Sequence, residues 1–183
     1  MAHRMEEVSF GRDTTVVLIP DGYSQELPEG TRGWVTQVLG GNFTVQLETG
    51  RLVRVAAEDA DAIGREAEVV AAEFDPNATV EEDDVWDQLR TCYDPEIPLD
   101  IVELGLVYGL ELSPDEEGGT AVAVTMTLTA PGCGMGQVLA DDVQRKVESL
   151  PGVRRASVEL TFDPPWSPER MSEEGRLELG MFW

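Results

Sequence analysis

Between Thr120 and Gly152 the chain changes its apolar period once, and that change dictates a strand, a loop and a helix in succession. In "TAVAVTMTLT" Val122, Val124, Met126 and Leu128 alternate with Ala123, Thr125, Thr127 and Thr129, the two-residue repeat of a half-buried strand. In "QVLADDVQRKVESL" Leu139, Val143, Val147 and Leu150 recur at helical spacing. The join is "TAPGCGMG", in which Pro131, Gly132, Gly134 and Gly136 surround Cys133. Glycines let backbone or a ligand come close to the sulfur. A thiol just ahead of a helix also faces unpaired N–H groups, which favour thiolate. The plainer reading is a tight turn whose cysteine plugs the helix end. The residues of the loop leave both readings open.

Elements on either side complete a domain. A helix is expected over about residues 80–92, with Val85, Leu89 and Cys92 on one stripe and Trp86 and Tyr93 beside it. Thr79 and Glu82 fit a capping box, and "EEDD" places acids where the helix dipole favours them. Pro95 and Pro98 stop the helix. "LVYGLEL" is expected to pair with "TAVAVTMTLT" as an antiparallel hairpin across "SPDEEGG". "ASVELTF" supplies a last strand with Val158, Leu160 and Phe162 inward. The order is α-β-β-α-β, a two-layer α+β core. A proline-rich tail and a short helix follow, with Trp166 either closing the core or docking a partner.

The expected organisation is a flexible N-terminus at 1–12, a small all-β domain at 13–72, a linker at 73–79 and the α-β-β-α-β domain at 80–183. In the all-β domain three strands follow "TTVVLIPDGY", joined through "LGGN" and "ETG", both suited to hairpins. Phe43, Val45 and Leu47 alternate, Leu52 continues that face, and Val53 and Val55 share the next alternation. Short strands with tight turns suggest an SH3-like barrel, closed by a helical turn in "EDADAIGRE". Trp34 and Phe43 read as core or rim aromatics.

Charge and ligand counts narrow the function. Thirteen basic against 36 acidic residues leave a net charge of −23, a field that repels nucleic acid and anionic membranes alike. No apolar run is of membrane length and no signal-peptide core is seen, so a cytoplasmic protein is expected. Cys92 and Cys133 are the two cysteines and His3 is the single histidine. One chain therefore cannot build a four-ligand zinc site without carboxylates, nor a four-thiolate cluster. No histidine lies near the motifs to serve as a base, so an enzyme is not expected. In "DPEIP" Asp94 and Glu96 sit in a proline-bracketed turn, either as ordinary turn residues or as carboxylates held toward a site.

Three stretches carry a resemblance: "YDPEIPLDIVELGLVYGLEL", "VTMTLTAPGCGMGQVLADDVQRKVESLPGV" and "VELTFDPPWSPERMSEEGRLELGM". Together they resemble the SufT family of the bacterial SUF iron–sulfur assembly system. More broadly they resemble the assembly-factor domain shared with PaaD, with eukaryotic cytosolic iron–sulfur targeting proteins and with some Mrp-type carrier ATPases. The N-terminal "LGGNFTVQLETGRLVRVAAEDADAIG" resembles an extra segment of that family. The resemblance implies a role in maturing iron–sulfur proteins, with Asp94, Pro95 and Glu96 as the family's DPE turn, Thr129 as its strand-end threonine and Cys133 as its cysteine. Ala130 departs from a second threonine common in the wider family.

With one favourably placed thiol per chain, no stably held cofactor is expected. A transient iron–sulfur cluster or iron would be met by Cys133, alone or across two subunits, supported by Asp94, Glu96 and Thr129. The implied partners are a SUF scaffold or carrier and apo client proteins, and a homodimer would bring two Cys133 thiols together. The alternative is a pure protein-interaction module with a structural cysteine.

Overall fold

The computed structural model describes residues 6–66 and 72–181, so His3 lies outside it. The chain divides into two compact units, Met1–Val70 and Ala71–Trp183.

In the first unit β1 (Glu6–Ser9), β2 (Thr14–Ile19), β3 (Ser24–Leu27), β4 (Arg32–Leu39), β5 (Asn42–Leu47) and β6 (Leu52–Val55) form one sheet in the order β1-β4-β5-β6-β2-β3. Every pairing is antiparallel. The β4–β5 turn uses Gly40 and Gly41, both at positive φ, which glycine adopts without steric cost. Phe43, Val45, Leu47, Val53 and Val55 are buried, together with Val8, Phe10, Val16 and Leu27. Leu52 departs from its expected place: it opens β6 opposite Gln46 and is exposed. Side chains alternate along a strand, so burying Val53 and Val55 turns Leu52 outward. Trp34 is half-buried. The expected helical turn is a 3-10 helix, Ala57–Ile63, ended by Gly64 at φ 70°. Its Ala60, Ala62 and Ile63 join the core. The expected flexible N-terminus is corrected within residues 6–12: β1 pairs with β4, and Val8 and Phe10 are buried.

The second unit has the expected α-β-β-α-β order: α1 (Glu82–Leu89), β7 (Val107–Pro114), β8 (Thr120–Met126), α2 (Gly136–Glu148) and β9 (Val153–Leu160). β8 is central, antiparallel to β7 and parallel to β9. Joining parallel strands requires a crossover, and α2 provides it. Val85 and Leu89 of α1, Val122, Val124 and Met126 of β8, and Leu139, Val143 and Val147 of α2 form one core with Leu99, Ile101, Leu104 and Leu106.

Two expected boundaries move. The cap of α1 is at Glu81 rather than Thr79, and the Asp84 carboxylate accepts the Glu81 backbone N–H at 2.8 Å. β9 ends at Leu160, leaving Phe162 exposed instead of inward. Beyond β9 the tail bonds to the loop before β7 and to the start of β7 itself. The Trp166 indole N–H donates to the Leu104 carbonyl at 2.8 Å, and the Tyr108 hydroxyl to the Pro164 carbonyl at 2.9 Å. The Arg170 guanidinium lies 4.5 Å from the centroid of the Tyr108 ring. Ser172 caps α3 (Glu173–Glu178) through the Gly175 N–H at 2.8 Å. Its own N–H donates to the Glu103 carbonyl at 2.9 Å. Half-buried Trp166 thus packs against its own core. Among the described residues no helix is long and apolar enough to cross a membrane.

Candidate functional site

The DPE turn is built by its aspartate. Asp94 Oδ1 accepts the backbone N–H groups of Glu96 at 2.8 Å and Ile97 at 2.9 Å, the Asx arrangement by which a short carboxylate closes a turn on itself. Asp94 is buried, and that burial pushes its carboxyl above the usual range against the pull of the two N–H donors. Asp100 repeats the device, accepting Val102 and Glu103 N–H groups at 2.9 Å each. Two consecutive Asx turns lead the chain from Cys92 to Leu106 and bury Leu99, Ile101 and Leu104 beneath them. What the first turn leaves outside is Glu96, which is exposed. Asp94 therefore closes the turn, and Glu96 is the carboxylate the turn leaves outside.

The glycine loop supplies the other half. Gly132 has φ +78°, a conformation costly for a side chain. At Gly136, the first residue of α2, a Cβ would fall 2.3 Å from Leu128 Cδ1. The helix start thus lies close against the strand end, and the loop between them is short and fixed. The Cys133 carbonyl accepts the Gly136 N–H at 3.1 Å. Half-buried at the edge of the core, Cys133 places its Sγ 3.8 Å from Glu96 Oε1, with the S–H donating. Two residues 37 positions apart in sequence thus form a thiol–carboxylate pair.

This pair reverses the expected electrostatics. Burial pushes the Cys133 thiol above its ordinary value, and the carboxylates of Glu96 and Asp94 push it further, against a lowering contribution from the Met135 N–H. Helix α2 begins at Gly136 with Met135 as its cap, so Cys133 is two residues short of the end of the dipole, whose effect fades within a turn. At neutral pH the group is a thiol hydrogen-bonded to Glu96. Its alkylation by iodoacetamide is expected to rise only above the pH at which an ordinary cysteine reacts. Glu96→Gln removes the carboxylate charge and should shift that rate–pH profile toward lower pH. An unchanged profile in the variant would show that Glu96 does not act on the sulfur.

The remaining candidates separate. Thr129 is half-buried and no hydrogen bond ties it to Cys133. Cys92 lies fully buried, its Sγ 3.7 Å from the Gln88 carbonyl, and burial raises its thiol to about 12. Such a thiol is inert packing. Both cysteines are free. Among the described residues no group of three or more His, Cys, Asp or Glu is arranged to hold a metal ion. Strand alternation placed Thr127 on the outer face, yet it is fully buried and its hydroxyl has no partner. The flanking Leu106 and Thr161 backbones seal it: Thr127 N–H donates to the Leu106 carbonyl at 2.8 Å, and Thr161 N–H to the Met126 carbonyl at 2.9 Å. Both partners come from distant segments, so no local pattern could have marked it.

Residues 82–160 match a family described as iron–sulfur cluster assembly protein. The chain is 48% identical over 99 residues to an Fe-S protein maturation auxiliary factor of Porphyromonas gingivalis, covering 54% of this chain and 90% of that one. It is 39% identical over 88 residues to the Fe-S protein maturation auxiliary factor SufT of Staphylococcus aureus, covering 48% of this chain and 96% of that one. An iron-sulfur cluster carrier protein of Synechocystis is 33% identical over 93 residues, covering 49% of this chain and 25% of that one. The Staphylococcus aureus relative is matched nearly end to end by less than half of this chain. It has no room for the N-terminal sheet, so that sheet is not a segment shared with it.

Proposed function

Since the chain belongs to the iron–sulfur cluster assembly protein family, we propose that it serves the maturation of iron–sulfur proteins. In this reading it meets iron or a cluster transiently through Cys133, between a SUF scaffold or carrier and an apo client in the cytoplasm. The observation that carries the reading is the Cys133–Glu96 pair at 3.8 Å, on an exposed edge where the DPE turn meets the glycine loop. A thiol must lose its proton to ligate iron, and Glu96 is placed to relay that proton from the sulfur to water. With the proton passed to solvent, the carboxylate stands beside the new thiolate as an oxygen donor. Asp94 holds the turn that presents it, and Thr129 lines the strand end from which the loop departs. One thiol per chain favours brief contact or a site shared between two copies, each supplying Cys133. The role is that of a factor, not an enzyme. We read the N-terminal sheet, with its six short antiparallel strands, as an SH3-like module.

Anaerobic incubation of the purified chain with ferrous iron and sulfide tests this. The wild type is expected to gain visible absorption that Cys133→Ser lacks. A second reading, an adaptor with a structural cysteine, is favoured by the raised thiol pKa. No Cys133-dependent absorption would select it.

A further inference from the structure

The N-terminal unit contains an open cleft of about 610 Å³ between the start of β4 and the β5–β6 turn. Its lining includes buried Leu27 and Leu47, half-buried Gln25, and the exposed side chains of Arg32 and Arg51. Two backbone bonds fix the main chain at each arginine. The Arg32 carbonyl accepts the Glu48 N–H at 3.2 Å, and the Arg51 carbonyl accepts the Leu47 N–H at 2.8 Å. Both are thus anchored to the adjacent pair Leu47–Glu48. The Arg51 guanidinium also reaches Gln25 Oε1 at 3.5 Å.

What sets them apart is that two arginines without a carboxylate partner line one cleft. The chain has 36 acidic residues for 13 basic ones, so most surface arginines find an acid, Arg170 and Arg176 of the second unit being exceptions among the described residues. Elsewhere in this unit Arg12 pairs with Asp59 and Asp61 at 2.8 Å, Arg65 pairs with Glu6, and Arg54 is engaged as well. Among the described residues, Arg32 and Arg51 make no ion pair, and both line the same cleft. Glu48 lines it too, paired with neither.

We infer that this cleft binds a small organic oxyanion, a carboxylate or phosphate group on a short carbon body. Guanidinium forks match such groups bidentately. The volume suits a small molecule, and the Leu27 and Leu47 floor suits its carbon body. A net charge of −23 opposes a large polyanion at long range. Of the charges lining the cleft, Arg32 and Arg51 outnumber Glu48, and charges farther away are screened beyond roughly 8 Å at physiological salt. The site lies outside the 82–160 family match and is independent of Cys133.

The test is an NMR titration of the isotopically labelled full chain with succinate and, separately, inorganic phosphate, against sodium chloride at matched ionic strength. Saturable shifts are expected at the amides of Gln25, Leu27, Thr31, Leu47 and Thr49. Arg32→Gln or Arg51→Gln should each weaken binding about tenfold, the scale of one charge-assisted bond, and the double variant should abolish it. Both side chains are exposed, so the fold is expected to persist, and the amide spectrum checks that directly. A response to succinate alone assigns carboxylate ligands, and one to phosphate alone assigns phosphorylated ligands. No saturable shift with either anion, or shifts that survive in the double variant, would overturn the inference.

Discussion

Cells whose only copy carries Cys133→Ser are expected to lose the activity of cluster-dependent client enzymes by at least about tenfold, while the purified variant folds as before. The two halves of that expectation have separate physical grounds. Serine is close in size to cysteine, and Cys133 is only half-buried at the edge of the core. A substitution in such a place changes stability by about 1 kcal/mol or less. Gly132, Gly136 and the backbone bond from Gly136 hold the loop with or without sulfur. The chemistry does not survive so easily. In the proposed role the thiol gives up its proton to become a soft, anionic iron ligand, whereas a serine hydroxyl resists deprotonation and is a poor match for iron–sulfur ligation. Unaltered client activity with Cys133→Ser at normal protein levels would overturn the ligand reading. A collapsed melting temperature would instead show that the cysteine is packing.

Gly105→Ala is expected to release the C-terminal tail and destabilise its unit by roughly 3 kcal/mol or more, combining strain at positive φ with a displaced backbone. Gly105 has φ +66°, and an added Cβ would lie 2.1 Å from the Arg170 carbonyl oxygen and 2.7 Å from its carbon. Both obstacles are backbone, so no side-chain rotation relieves them. The tail must lift, and with it go the Trp166 bond to Leu104 and the Ser172 bond to Glu103. Hydrogen exchange reads this directly. The Trp166 indole N–H should lose its protection, and the melting temperature should fall by about 10 °C or more. Retained protection together with a wild-type melting temperature would mean that the tail is not held against Gly105. Because Glu103 and Leu104 follow the Asp100 turn, a lifted tail also loosens the segment that supports the DPE turn.

How much of this was legible beforehand depended on the range of the interaction concerned. β8, α2 and the glycine hairpins follow from periods and turn residues only a few positions apart, and they form within those patterns, β8 ending at Met126 rather than Thr129. Leu52, Phe162 and the cap of α1 differ because strand and helix ends depend on which neighbour arrives to pair or bond there. Asp94, Glu96 and Cys133 could be named from the chain, but their division of labour could not. Asp94 spends its carboxylate on the N–H groups of its own turn, while Glu96 is left to face the sulfur.

The chain by itself determined the α-β-β-α-β order and the acidic field, because composition and periodicity are local quantities. Tertiary structure alone decided that β9 runs parallel to β8, that Thr127 is sealed, and that Cys133 stands as a thiol beside Glu96 rather than as a thiolate under a helix dipole. Desolvation and Coulomb interactions depend on distance through space, and 37 positions of sequence carry no information about 3.8 Å.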